Sequence, residues 1–183
     1  MKVKRAMEME VENFKLGDVI EFALTTGEKV AAKAVEETPE GMIFIHTGVL
    51  KKEEPMFKSL KGVEILDYAH SDLRKKLNGE ILDTFPKKIK TRMKPMKING
   101  SETSDLLRIP TEKEIFGDNQ LSDDEPEETK KFDGIGNGAI GKWWWLQNVD
   151  IRDSMSFAYV GGYGLAYNLR ASHVFGVRPV FIL

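Results

Sequence analysis

Cysteine is missing from this chain altogether. Disulfides, thiolate metal sites and thiol nucleophiles are therefore excluded together. Histidine is scarce, with only His46, His70 and His173, and no G-x-S-x-G elbow occurs. No sequence motif marks a Ser–His–acid triad, and no spaced His ligands mark a metal centre. No apolar run approaches the ~20 residues that span a bilayer. The opening MKVKRAMEMEVENF has basic residues but no apolar h-region, which argues against a secretory signal. A cytoplasmic product without a membrane partner is the expectation, and packaging in a phage particle would leave the same signature. An excess of one charge is lacking as well, at net −2 and pI about 6.0. No broad electrostatic grip on nucleic acid is expected from that balance. The cluster Lys87, Lys88, Lys90, Arg92, Lys94 and Lys97 reads as a solvated helix face.

What is present suits one compact α+β domain with a small appendage: 183 residues, 41% of them hydrophobic. Residues 1–55 read as a small N-terminal β segment, with strands at VIEFAL (19–24), KVAAKAV (29–35) and MIFIHTGVL (42–50) separated by turn signals. Residues 56–183 form the main domain. Ser71 caps a helix over DLRKKLN, which Asn78-Gly79 is expected to stop. EILDTF and KKIKTRM follow as short helices on either side of Pro86. Thr111 and Glu114 form a capping box for TEKEIF, closed by Gly117. The acidic stretch 118–131, DNQLSDDEPEETKK, reads as an exposed or mobile loop. A calcium loop is the alternative, but the D-x-[DN]-x-[DN]-G order is absent. GNGAIG (136–141) fits the dinucleotide fingerprint by spacing, yet a polar segment precedes it and a strand follows, so it reads as a turn. In KWWWLQNV (142–149), Trp143 and Trp145 share one side of a strand while Trp144 and Leu146 share the other. These tryptophans are structural candidates.

The last stretch, SFAYVGGYGLAYNLRASHVFGVRPVFIL (156–183), has only Arg170 and Arg178 as charged residues. Two patterns interleave in it. Its aliphatic and Phe residues suit a closing sheet, with a hairpin across GGYG and a last strand at which Pro179 marks an edge or a start. Tyr159, Tyr163, Tyr167, Asn168, Arg170, Ser172 and His173 form a set resembling the composition of a paratope, and are the candidate ligand-binding residues. Arg178 reads as a structural anchor, ion-paired inside the fold. The expected function is non-catalytic recognition of a protein or glycan, with no catalytic residue, metal or cofactor assigned. The alternatives are an enzyme using carboxylates and His173, or a purely structural domain.

Four ordered segments, SDLRKKLN (71–78), LLRIPTEKEIFG (106–117), WWWLQNV (143–149) and GVRPVF (176–181), resemble an uncharacterised bacterial and phage family, a domain of unknown function. Its members carry "SDLR-x-x-LN", "LPT-x-x-E", "W-x-WLR" and a terminal "GVRP", and the resemblance covers roughly residues 60–183. RIPTEKEIFG and GVRPVF are also distantly similar to segments of formylglycine-generating-enzyme-like domains. That similarity implies a C-type-lectin-like fold, with short helices, a twisted antiparallel sheet and long loops. The cysteine chemistry of those enzymes and the EPN/QPD–WND calcium motif of lectins are not carried here. C-type-lectin-fold proteins diversified by retroelements display Tyr, Asn, Ser, His, Arg and Gly near the C-terminus. Residues 156–183 are similar in that they lack Lys, Glu, Gln, Met and Trp. The similarity implies a segment that has been varied.

Overall fold

A computed structural model describes residues 13–183. Residues 1–12, which include most of the segment weighed as a signal, lie outside the described residues. Strands β1 (Val19–Ala23), β2 (Lys29–Thr38) and β3 (Gly41–His46) form an antiparallel meander, as the turn signals at Thr26-Gly27 and 38–41 predict. β2 carries a bulge between Ala34 and Glu36, and the carbonyl of Val35 there accepts a hydrogen bond from the amide of Asp133 (2.9 Å). After β4 (Glu54–Pro55), Ser71 caps helix α1 (Asp72–Lys76), its side chain accepting from the Arg74 amide.

The helix does not stop at Asn78-Gly79. It runs on as a π-helical turn, Leu77–Ile81. Gly79 is not among the glycines with positive φ, so it cannot act as a left-handed cap. Asn78 ties two segments together instead. Its Nδ2 donates to the carbonyls of Arg74 (3.2 Å) and Leu107 (2.8 Å), and its Oδ1 accepts from the amides of Leu106 and Leu107 (both 3.0 Å).

Pro86 then leads into α2 (Lys87–Lys90), and β5 (Met96–Lys97) pairs with β6 (Ser104–Asp105). Helix α3 (Glu112–Phe116) carries the expected capping box between Thr111 and Glu114, and Gly117 closes it at φ 89°. A second antiparallel sheet follows, in the order β7 (Trp144–Asp150), β8 (Asp153–Val160), β9 (Ala166–Arg170). The chain ends with β10 (Val174–Phe175) and β11 (Val180–Ile182), Pro179 lying just before the latter.

The architecture is α+β, built from several antiparallel sheets. β11 pairs with β3 to complete a four-stranded sheet of order β1-β2-β3-β11, and β10 pairs with β4. Both pairings cross the boundary expected at residue 55, because β11 covers the edge that β3 would otherwise leave bare. Alternation along β3 sends Met42 and Phe44 to one core cluster and Ile43 and Ile45 to the other. The sheet is therefore buried on both faces.

The tryptophan strand divides in the same way. Trp145 joins the first cluster and Trp144 the second, both fully buried, whereas Trp143 is 55% exposed. Trp145 Nε1 donates to the Glu54 carbonyl at 2.8 Å, which ties β7 to β4.

Two buried ion pairs lock the helices to the extended pieces. Arg74 grips Asp105 with Nε (2.6 Å) and Nη2 (2.9 Å), and Arg108 grips Glu114 with Nη1 (2.7 Å) and Nη2 (2.5 Å). Such two-point guanidinium–carboxylate contacts fix orientation as well as charge. Arg178, expected to be ion-paired, has no carboxylate partner among the described residues. Its Nε donates to the His46 carbonyl (2.6 Å) and its guanidinium lies on the Trp144 ring. Burial alone pulls its pKa down to about 10. An aromatic face and a backbone carbonyl meet its guanidinium instead.

The acidic stretch is also more ordered than its composition predicts. Fully buried Glu112 accepts from the amides of Gln120 (3.0 Å) and Leu121 (2.9 Å) and from Ser122 Oγ (2.6 Å). Glu125 Oε1 accepts from the Lys113 amide (3.1 Å) and from Nδ2 of Asn119 and Asn148 (both 2.9 Å). Charged side chains thus point inward to satisfy loop donors, while Asp123, Asp124, Glu127 and Glu128 stay exposed. Both oxygens of Glu112 and Oε1 of Glu125 face N–H and O–H groups, an arrangement opposite to a cation cage.

Candidate functional site

The register of the second sheet decides which candidate residues meet. Tyr159 on β8 faces Tyr167 on β9, and Trp145 on β7 faces Tyr159. Strand alternation puts these three on one face and Asn168 and Arg170 on the other. The seven candidates therefore do not form one surface.

On the tyrosine face the rings form a row. Trp143 and Tyr159 have centroids 5.8 Å apart, and Tyr159 and Tyr167 stack at 5.7 Å with planes 28° apart. Phe175 closes the row from below, 4.5 Å from Tyr159 and 4.7 Å from Trp145. The middle member, Tyr159, is only 9% exposed and belongs to the core, while Trp143 and Tyr167 at the two ends are open to solvent. Burial, with the neighbouring Tyr167, raises the pKa of the Tyr159 hydroxyl.

The hairpin tip explains how the rings come so close. The Gly161 amide bonds the Leu165 carbonyl at 2.9 Å, and a Cβ on Gly161 would stand 2.7 Å from the Tyr167 ring. Only a glycine lets that ring lie against the backbone here. Tyr163 projects from the tip and is 90% exposed, with its carbonyl held by Asn137 Nδ2 (3.2 Å). Leu165 beside it is also exposed. Trp143, Tyr163 and Tyr167 are the exposed aromatic residues among those described, and all three gather at this end of the sheet.

The other candidates have local roles. Asn168 Nδ2 donates to the buried carboxylate of Asp150, which Arg152 also holds through Nε (3.2 Å) and Nη2 (3.0 Å). Those donors, Arg152 first, bring the Asp150 pKa down to about 2 against the opposing effect of burial. Arg170 is exposed, and its Nη2 lies 3.6 Å from Met155 Sδ. Ser172 and His173 are exposed in the turn after β9, and His173 Nδ1 is 3.3 Å from the Arg170 carbonyl. No carboxylate reaches His173 among the described residues. Two clefts of about 600 and 520 Å³ lie elsewhere, one near Glu21, Lys29 and Thr47, the other near His70 and Asp72.

Two features escaped the sequence reading. Trp143 was placed with the structural tryptophans, but its position just before β7 leaves it at the exposed end of the ring row. The other is His70, which stands at the entry to α1. Its Nδ1 lies 2.7 Å from Asp67 Oδ1, which also accepts the His70 amide at 2.9 Å, and both side chains are exposed.

The chain matches the model of a family described as a domain of unknown function, DUF6273, over residues 43–183. No curated protein and no solved structure matches it. The matched segment begins inside β3 and so includes the β3–β11 pairing, all four sequence motifs and the whole aromatic end of the second sheet. On that match, which covers most of its length, the chain belongs to the DUF6273 family of domains of unknown function.

Proposed function

We propose that this chain is a non-catalytic recognition domain that binds a protein or a glycan through the aromatic end of the β7–β8–β9 sheet. The scaffold is proposed to be C-type-lectin-like. The reading rests on one observation: every strongly exposed Trp or Tyr ring among the described residues sits at that end, Trp143 and Tyr167 on a packed row of rings and Tyr163 at the tip beside it. Tyrosine and tryptophan offer large contact area at low entropic cost, and their polar edges can pair with a partner. A purely structural domain would leave these three exposures without a purpose. The enzyme alternative lacks support from geometry, since the ring of His173 faces a backbone carbonyl and no acid. Display on a phage particle and retroelement diversification of residues 156–183 would suit the same face. A template repeat beside a reverse-transcriptase gene in the neighbouring DNA is expected in that case, and the lack of both removes the diversification.

The test is a glycan array and a random-peptide display selection, each run on wild type and on a Trp143/Tyr163/Tyr167→Ala variant. Binding to a narrow set of probes, weakened at least tenfold in the variant, is the expected result. Identical profiles for the two proteins would sink the proposal.

A further inference from the structure

The edge of the second sheet, next to the aromatic row, has specific features of its own. The Gly161 amide bonds the Leu165 carbonyl (2.9 Å) and the Ala171 amide bonds the Met155 carbonyl (3.0 Å). With the β8–β9 register, these two bonds fix the phase of the ladder. Leu165, Tyr167, Leu169 and Ala171 turn their backbone groups toward β8. Ala166, Asn168 and Arg170 turn theirs away from the sheet.

β9 is the last strand of its sheet. Among the described residues no partner accepts from or donates to the outward backbone groups of Ala166 and Asn168. The Arg170 carbonyl is met only by His173. By contrast, Gly176 and Pro110 cover the outer side of β7, and Arg108 and Lys94 bridge to β11. The side chains of β9 match this open edge. Leu165 and Tyr167 are exposed apolar residues on one face, so the row Trp145–Tyr159–Tyr167 ends half-open where a further strand would continue it. β9 holds no proline, lysine or bulge of the kind that blunts an edge. Its single charge, Arg170, forms no ion pair within 4 Å among the described residues, and the carboxylate of Asp153 on β8 feels it only at longer range.

We propose that β9 is a docking edge for an extended polypeptide strand, which adds to the β7–β8–β9 sheet through the outward backbone groups of Ala166, Asn168 and Arg170. The partner segment is uncharged and apolar at the position beside Tyr167 and carries a carboxylate beside Arg170. Backbone pairing supplies affinity, and the alternate side chains supply selectivity. This assignment rests on the recognition reading above and narrows its partner to a polypeptide.

The test uses the full chain and a library of displayed random dodecapeptides. The best selected peptide is synthesised plainly and with alternate amides N-methylated. The expected peptide alternates apolar residues around one Asp or Glu, and its N-methylated copy binds at least tenfold more weakly. Ala166→Pro removes an outward donor that the β8 ladder does not use, at a strand start where proline is tolerated, and should weaken binding at least tenfold. Arg170→Glu should reject the peptide and accept a copy with Lys in place of the acid. This charge swap keeps the test decisive even if circular dichroism finds Ala166→Pro unfolded. Equal binding of the N-methylated copy, or indifference to both substitutions, overturns the proposal. Binding of neutral hexasaccharides without any selected peptide overturns it while the recognition reading stands, and no binding of either kind removes both.

Discussion

The guanidinium carbon of Arg178 lies 4.9 Å from the centroid of the Trp144 ring, in a buried site where no carboxylate among the described residues meets it. The stack and the hydrogen bond to the His46 carbonyl hold this charge inside the fold. A lysine there would keep the cost of burying a cation while losing the planar stack. Arg178→Lys should therefore destabilise the protein by about 2 kcal/mol or more, whereas Arg178→Met, which removes the charge, should cost less. Urea unfolding of both variants checks the order, and a more stable Lys variant would refute the account.

His46 provides a pH dependence. Its ring lies among Phe22, Phe85 and Phe181, and burial followed by the Arg178 charge lowers its pKa to about 3 from 6.5. The unfolded chain then binds more protons than the folded one between those two values. His46's contribution is fully present above about pH 6.5 and falls by roughly 1.4 kcal/mol per pH unit on acidification toward pH 3. His46→Phe should flatten that limb and match wild type at pH 7.5. An unchanged acid limb in thermal melts would exclude His46 as its source.

Glu112 is the central acceptor of the acidic loop. Glu112→Ala leaves the amides of Gln120 and Leu121 and the Ser122 hydroxyl without their acceptor, and a loss of about 2–4 kcal/mol is expected. Amide exchange over residues 118–128 should speed up more than exchange in β2 and β3. Uniform acceleration across the molecule would show that the loop is not organised through this residue.

Gly176 offers a contrast between two glycines. A Cβ there would stand 2.6 Å from Val49 Cγ1 and 2.8 Å from the Trp143 carbonyl, whereas one on Gly48 would meet nothing within 4 Å. Gly176→Ala should destabilise by about 2 kcal/mol or more, and Gly48→Ala by well under 1. Equal melting temperatures would contradict the tight approach of the backbones.

Much of the scaffold was legible in the sequence because local chemistry determines it. The three N-terminal strands, the Ser71 cap, the Thr111–Glu114 capping box and the two faces of the tryptophan strand follow from spacing and turn residues alone. What failed depended on distant partners. Asn78 looked like a helix stop until Leu106 and Leu107 supplied its bonds, and Arg178 looked ion-paired until Trp144 occupied that place. The acidic stretch looked loose because composition does not reveal which carboxylates turn inward. The candidate site was half legible. Tyr163 and Tyr167 are exposed as the paratope-like composition suggests, but Tyr159 is core, and Asn168 and Arg170 lie on the opposite face. The motifs that carry the family resemblance mostly build scaffold. Ser71 and Arg74, Arg108 and Glu114, Trp144 and Trp145, and Gly176 and Arg178 all hold elements together, so they say little about what the aromatic end meets.

The pairing of β11 with β3 also constrains how the molecule is made. Ile45 and Val180 are neighbours in space but stand about 135 residues apart in the chain. Until residues 180–182 leave the ribosome, the β3 edge is bare and both layers beneath it are open. A pairing so distant in sequence adds a long-range closure to folding, and such closures are slow by nature. In that interval the meander is a sticky template, a hazard for the nascent chain that the finished protein no longer shows.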